Sequence, residues 1–216
     1  MSEAVLREFA VDTVFGRLCG LRREIPGGPR VIALHGWLDN AASFVPLATH
    51  LPGLDLAALD MPGHGASAHL PPAADYLSVA FARSVLATAD ALGWERFSLL
   101  AHSLGAAVAS VVAAAAPDRV ERFVAIEALG ALSEAESRTG QRLRDAFAAM
   151  ATPRRGLRVF DDIATAVRAR MQVNGLSEPV ARLLVDRGIA PIEGGFIWRS
   201  DPRLTQPTAV RISEAQ

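Results

Sequence analysis

The stretch LLAHSLGAAV, residues 99–108, decides how the chain is organised. Bulky apolar residues lead up to His102 and Ser103, and after Gly105 the sequence becomes a run of alanines and valines. The whole apolar segment, residues 97–116, is long enough to be considered as a membrane helix. Its bulky beginning, its small-residue end and the polar residues between them instead predict a strand, a tight turn and a buried helix. A histidine and a serine therefore lie at the junction of two buried elements.

Strands and helices alternate on both sides of this stretch. The predicted strands are a hairpin in 7–13 and 16–25, followed by apolar strands in 27–37, 54–60, 96–101 and 120–128. The predicted helices are 40–51, 76–92 and the alanine-rich run that Pro117 closes. A strand that is apolar throughout needs a sheet covered on both faces. The alternation predicts an α/β fold with a mostly parallel sheet.

From residue 131 the pattern changes to consecutive helices. Ser133 begins a Ser-x-x-Glu capping box, which predicts a helix start there. The predicted helical stretches are 133–150, 160–173 and 177–188, and the next strand is expected only in GGFIWRSD, residues 194–201. We therefore divide the chain into a core in 1–130, a helical cap in 131–200 and a return to the core in 201–216.

Composition limits the classes of function. The chain has 216 residues, 50% of them hydrophobic, which is enough for one domain with an insertion. A net charge of -1 gives no reason to expect nucleic acid, an anionic membrane or a polyanionic substrate as partner, so a small molecule is expected. Cys19 is the only cysteine, and the N-terminus has no apolar run behind a basic start. These features predict a cytoplasmic protein without a disulfide framework.

Three polar motifs follow three of the predicted strands. They are HGWLDN in residues 35–40, DMPGHGAS in 60–67 and AHSLG in 101–105. In an open parallel sheet, ligands bind outside the carboxyl ends of the strands. The sequence therefore predicts that these motifs meet at one edge of the sheet and form a site there.

The motifs in this order resemble the α/β-hydrolase superfamily, and within it the serine hydrolase-like branch near the epoxide hydrolases and haloalkane dehalogenases. AHSLG is similar to the nucleophile elbow Gly-x-Ser-x-Gly, with Ala101 in place of the first glycine. The resemblance implies that Ser103 attacks an acyl carbonyl and forms an acyl-enzyme. It also implies that the backbone N–H groups of Trp37 and Leu104 form the oxyanion hole. A serine in place of an aspartate argues against dehalogenase or epoxide hydrolase chemistry.

The resemblance gives supporting roles to neighbouring residues. His35 and Gly36 precede the oxyanion residue, and His35 is expected to fix that loop by hydrogen bonds. His102 is expected to pack beside the elbow, because adjacent residues on a sharp turn diverge. Glu127, at the carboxyl end of the sixth strand, is either the acid of a catalytic triad or a salt-bridged carboxylate at a strand end. His64 in PGHG is expected to stabilise a turn.

Neither a metal nor a cofactor is expected. Asp60, His64 and His69 come close together in the sequence, but no metal-ligand spacing such as His-Glu-x-x-His accompanies them. The segment GHGASA fits a degenerate dinucleotide fingerprint, yet it does not follow the first strand of a βαβ unit, and prolines follow it. Both matches are therefore interpreted as accidental.

The expected catalytic base has no candidate after the nucleophile. The five histidines are at 35, 50, 64, 69 and 102, whereas the family order is serine, acid, histidine. Family members also continue with two more strand and helix units, so the resemblance implies that strands seven and eight are missing and the chain is truncated. The predicted function is a serine hydrolase that acts on a small ester or related acyl compound. The alternative is a non-catalytic hydrolase-like binding protein or an inactive fragment.

Overall fold

A six-stranded sheet is the centre of the computed structural model, which describes residues 5–152 and 157–215. Its strands are β1 (Arg7–Thr13), β2 (Gly16–Arg23), β3 (Arg30–Leu34), β4 (Asp55–Leu59), β5 (Phe97–His102) and β6 (Val120–Ile126). The strand order across the sheet is β1-β2-β4-β3-β5-β6. The first two strands pair antiparallel, and β2 also runs antiparallel to β4, while β4, β3, β5 and β6 are parallel. The mostly parallel sheet predicted from the alternation is confirmed.

Helices cover both faces of this sheet. They are α1 (Val45–Ala48), which follows a 3-10 turn at Ala41–Phe44, then α2 (Ser78–Ala91) and α3 (Leu104–Ala115). Successive residues of a strand point to opposite faces, so Ile32 and Leu34 of β3 pack with α2 and α3, while Val31 and Ala33 pack on the side of α1. The burial of β3 on both faces explains why its sequence is apolar throughout.

The cap consists of three helices and a hairpin. They are α4 (Thr139–Ala151), α5 (Ile163–Asn174), α6 (Glu178–Gly188), β7 (Ile189–Ile192) and β8 (Gly195–Trp198). The helices α5 and α6 and the hairpin enclose a small apolar cluster that includes Phe160, Val167 and Val185. The helical stretches predicted at 160–173 and 177–188 correspond to α5 and α6.

The expectation that strands seven and eight are missing needs one correction: two further strands are present after β6, although they lie in the cap region and do not continue the six-stranded sheet. The structure forms β7 and β8, but they pair only with each other, as a small antiparallel sheet. Within the described residues neither of them extends the six-stranded sheet, so β6 is its edge. The sequence pattern missed β7 because its four residues follow directly on α6 and include Pro191.

The predicted helix start at Ser133 is wrong. Ser133 forms a parallel bridge with Ile212, and the N–H of Glu134 donates a hydrogen bond to the carbonyl of Ile212 at 3.0 Å. Because this pairing holds the segment extended, the helix begins only at Thr139.

Two arginines of the cap bind carboxylates in loops that follow core strands. Asp60, directly after β4, is fully buried and accepts a hydrogen bond from Nε of Arg187 in α6 at 3.0 Å. Arg170 of α5 forms an ion pair with Asp39 in the loop after β3. The cap therefore lies over the carboxyl ends of the strands. No helix in the described residues is long and apolar enough to cross a membrane.

Candidate active site

Ser103 occupies a strained turn between β5 and α3. Its φ of 51° and ψ of -117° lie in a region that residues with a side chain rarely adopt. Its N–H donates to the carbonyl of Ile126 at the end of β6, at 3.0 Å. A Cβ at Gly105 would lie 2.2 Å from the carbonyl oxygen of Leu34, so this position needs glycine for α3 to approach β3. The geometry is that of the nucleophile elbow expected from AHSLG.

Backbone strain collects at the carboxyl edge of the sheet. In the described part of the chain, the residues other than glycine with positive φ are Leu38, Ser103 and Glu127, at 57°, 51° and 71°. They follow β3, β5 and β6, which are neighbours in the sheet. Strained residues of this kind cluster at active sites and ligand clamps. This edge is therefore the best candidate for the functional site.

Two backbone N–H groups are free to form an oxyanion hole. Leu104 is the first residue of α3, so its N–H has no acceptor within the helix. The N–H of Trp37 likewise donates to no acceptor in residues 5–152 and 157–215. The indole Nε1 of Trp37 donates to the carbonyl of Leu204 at 3.0 Å and so fixes this residue in the loop. Both residues line one pocket together with Ser103.

His35 links the loop that follows β3, which carries Trp37 and is called the oxyanion loop below, to the segment that follows β4. Its Nε2 accepts a hydrogen bond from the N–H of Met61 at 3.1 Å, so the proton is on Nδ1, which donates to the carbonyl of Gly36 at 2.7 Å. Burial lowers the pKa of His35, which favours the neutral ring. The ring of His64 lies 4.9 Å away, and burial lowers the pKa of His64 to about 3. Both imidazoles are neutral structural groups at neutral pH.

The structure joins His102 to Glu127. Nε2 of His102 lies 2.8 Å from Oε2 of Glu127, so the carboxylate after β6 is within hydrogen-bond distance of the histidine before the elbow. The hydroxyl of Ser103 has no hydrogen-bond partner within the described residues. His102 therefore makes no hydrogen bond to the hydroxyl of Ser103, whereas a base would make one. The roles of Glu127 and of the oxyanion residues remain predictions.

A pocket of about 600 Å³ opens at Ser103. Its apolar lining comes from the core, the cap and the return segment, and includes Phe81, Leu132, Met150 and Leu204. This volume is within the range of small-molecule sites. The pocket therefore opens a space of small-molecule size at the candidate nucleophile.

A charged network that the sequence did not reveal forms part of the pocket wall. The carboxylate of Asp201 accepts hydrogen bonds from the Tyr76 hydroxyl at 2.9 Å and from Nε of Arg203 at 3.0 Å. Burial by itself would raise the pKa of Asp201, but the hydrogen bonds outweigh burial and lower that pKa. Burial and Asp201 raise the pKa of Tyr76 to about 12. The one local signal was the Asp-Pro pair, where the Asp201 side chain caps a 3-10 turn.

The described residues contain no group of three or more His, Cys, Asp or Glu side chains that could hold a metal ion.

Ser103, Trp37 and Leu104 share a pocket, and His35, Gly36 and His102 lie directly behind it. The structure thus brings these predicted residues together at this edge, while the sequence did not reveal the return segment that also lines the pocket.

Comparison with known proteins gives consistent matches. The pattern of the alpha/beta hydrolase fold family matches residues 29–211. A hypothetical protein of Pseudomonas aeruginosa PAO1 is 43% identical, with a TM-score of 0.92 over 96% of this chain and 74% of that chain. The thioesterase domain from the curacin biosynthetic pathway is 26% identical, with a TM-score of 0.79 over 98% of this chain and 76% of that chain.

The curated relatives are longer than this chain. A serine hydrolase-like protein of Danio rerio is 30% identical over 95% of this chain, which spans 65% of that protein's length. One of Dictyostelium discoideum is 32% identical over 87% of this chain and 55% of its own length. With its elbow, its sheet order and these matches, the chain belongs to the α/β-hydrolase fold family, in the branch of the serine hydrolase-like proteins.

Proposed function

We propose that this protein is a serine hydrolase that cleaves a small ester or a related acyl compound through an acyl-enzyme on Ser103. One observation carries the proposal: the strained elbow presents Ser103 to a pocket that Trp37 and Leu104 also line, and their N–H groups have no acceptor in the described residues. A nucleophile next to two unused donors is the arrangement that acyl transfer needs.

The chemistry follows from this geometry. The Ser103 oxygen attacks the acyl carbonyl, and negative charge develops on the carbonyl oxygen. The N–H groups of Trp37 and Leu104, with the positive end of α3, stabilise that charge. The alcohol or thiol leaves, and water then hydrolyses the acyl-enzyme. A general base has to take the proton of Ser103, and none of the described residues is placed to do so.

The pocket wall favours an uncharged acyl group. Arg142 is paired with Glu134, and Arg203 is paired with Asp201, so two of the cations at the wall are already neutralised. The apolar side chains that line the pocket then dominate its interior. We therefore expect a substrate with an apolar acyl chain rather than a dicarboxylate.

The second candidate is a hydrolase-like binding protein or an inactive fragment. The observation that favours it is the Ser103 hydroxyl, which has no hydrogen-bond partner in the residues that the structure describes. A serine without a base keeps only the help of the oxyanion hole and of binding, roughly 10³ to 10⁴ over water. The pocket would then bind an acyl compound without turning it over efficiently.

Labelling with a fluorophosphonate separates the two candidates. The probe reacts with an activated serine, so we expect it on Ser103, located by peptide mass spectrometry. Ser78 lines the same pocket at the start of α2, and Ser78→Ala is the matched control that should keep the label. Labelling that survives in Ser103→Ala would contradict the assignment of the nucleophile. A protein that takes no label while it binds an apolar carboxylic acid would support the binding function.

A further inference from the structure

The ring of His102 lies against the backbone of the oxyanion loop. A Cβ at Gly36 would be 3.0 Å from Nδ1 and 3.3 Å from Cε1 of His102, so the absence of a side chain lets the ring approach the chain. On the other side of the same loop, Nδ1 of His35 binds the carbonyl of Gly36. The backbone next to Trp37 therefore contacts two imidazoles, the fully buried ring of His35 and the partly exposed ring of His102.

The other end of the His102 ring is held by Glu127. Nε2 of His102 and Oε2 of Glu127 are 2.8 Å apart, and the side chains of His102 and Glu127 are 36% and 68% exposed, respectively. A half-exposed contact between two polar side chains contributes little to stability, while φ of 71° at Glu127 is a cost for any residue other than glycine. The free energy gained from the contact between His102 and Glu127 is therefore smaller than the cost of the positive φ at Glu127. Strain that stability does not explain is typical of residues that position a site.

The pair also connects the two motifs that supply the oxyanion donors. His102 precedes Ser103 and Leu104 in the elbow, and its ring touches the loop that carries Trp37. The distance between the two N–H donors thus depends on where this ring lies. The carboxylate of Glu127 is the contact that fixes its outer end.

We propose that His102 and Glu127 are positioning residues that set the spacing of the oxyanion loop from the nucleophile elbow, and that Glu127 is not the acid of a catalytic triad. The inference rests on the proposed function, because it assigns a role in that same site. Neither residue contacts the Ser103 hydroxyl.

The variant Glu127→Gln decides between the two roles of this carboxylate. A triad acid that becomes an amide costs on the order of 10⁴ in kcat, since the base can then adopt the wrong tautomer. A positioning residue keeps its bond, because the amide oxygen still accepts from Nε2–H of His102. We expect kcat for nitrophenyl butyrate within about threefold of the wild type. A loss near 10⁴ would overturn the positioning role.

Replacement of either side chain by alanine should abolish the positioning of the oxyanion loop. We expect Glu127→Ala to lower kcat by about 10-fold to 100-fold, as for a displaced donor, with KM changed less than about twofold. His102→Ala should cause a similar loss, and the double variant should lose no more than either single one, because the two residues act as a unit. The control is Glu121→Gln, an exposed carboxylate of β6 that pairs with Arg96 away from the site.

A second measurement does not depend on turnover. The heteronuclear NOE of the backbone amide of Trp37 reports how well the loop is ordered. It should fall in His102→Ala and Glu127→Ala, and remain at the wild-type value in Glu127→Gln and Glu121→Gln. If the wild type has no turnover, the proposed function fails and the NOE alone decides the inference. Unchanged NOE values in both alanine variants would overturn it.

Discussion

The neighbouring parallel strands β5 and β6 both contain large apolar residues, but these residues have opposite surroundings. Phe97, Leu99 and Leu100 of β5 are buried between helices and adjacent strands. In β6, Val124 is 55% exposed and Ile126 is 39% exposed, because no strand covers its outer edge in the described residues. Both strands carry large apolar residues, but β6 also carries Glu121 and Arg122, so composition and position in the sheet together decide how much each strand buries.

This difference reaches the site through the residues that follow each strand. β5 leads into Ser103, which is held by α3 and by the end of β6. β6 leads into Glu127, whose side chain is largely exposed and which is held through His102. The covered strand β5 leads to the candidate nucleophile Ser103, while the edge strand β6 contributes one exposed contact, between Glu127 and His102. Four experiments test this comparison.

The largest effect is expected at the end of the covered strand. If Ser103 works with a base as a complete triad, Ser103→Ala should lower nitrophenyl ester turnover by roughly a millionfold. If no base works with it, the loss cannot exceed the residual catalysis of an unassisted site, and the size of the loss therefore reports whether a base is present. Steady-state kinetics with Ser78→Ala as control measure it. Turnover equal to the wild type would remove Ser103 from the mechanism.

The two strands should differ in stability when each loses a side chain. Leu99 is 1% exposed, so Leu99→Ala should lower the free energy of unfolding by about 2–5 kcal/mol, through lost burial and a cavity. Val124→Ala on β6 should cost less than about 1 kcal/mol, because the side chain is already half in water. Urea unfolding followed by circular dichroism gives both values. Equal losses would show that β6 is covered in solution.

The buried imidazoles behind the covered strands predict a pH dependence. His64 is neutral when folded, with a pKa lowered to about 3 by burial, so the unfolded chain binds more protons below its ordinary pKa of about 6.5. Stability should therefore fall as the pH decreases through this window, by up to about 1.4 kcal/mol per pH unit for this group.

Unfolding in urea between about pH 7 and about pH 5 keeps most carboxylates out of the transition. His64→Gln should reduce the slope, whereas His50→Gln, on an exposed histidine, should leave it unchanged. An identical slope in the wild type and in His64→Gln would show that His64 is not the neutral buried group described above.

The smallest change in folding stability is expected at the open edge of β6. Unpaired N–H and C=O groups beside exposed apolar side chains favour association between chains. Val124→Lys should reduce concentration-dependent association in sedimentation velocity, while it changes the free energy of unfolding by less than about 0.5 kcal/mol. Arg96→Lys, which keeps the charge near the same edge, is the control. Association that is unchanged in Val124→Lys would place the contact elsewhere.

Local patterns carried the prediction of the core. The apolar runs of β3, β4 and β5 and the turn at Ser103 are encoded by neighbouring residues, and the structure has them where they were expected. The Ser133 capping box failed for the opposite reason. In place of the predicted helix start, Ser133 forms a backbone bridge with Ile212, which is far away in the sequence. Local signals decide an element unless a distant partner offers its backbone a better arrangement.

The candidate site divides in the same way. The elbow and the oxyanion loop were predicted because each is a short motif that resembles one of the α/β-hydrolase family. The pairing of His102 with Glu127 and the wall formed by Tyr76, Asp201 and Arg203 were not, since no periodicity relates residues that meet only after folding. The exposure of β6 was foreseen only as the consequence of an expected truncation.

The sequence by itself determined that this is an alternating α/β chain with polar motifs at the carboxyl ends of its strands, because burial and turn geometry impose periods of two and 3.6 residues. The tertiary structure alone decided which of these groups touch. The indole of Trp37 reaches the carbonyl of Leu204 across 167 residues of sequence, and a contact of that span depends on how sheet and cap pack together. Packing, and not local propensity, therefore sets the geometry on which any chemistry at Ser103 depends.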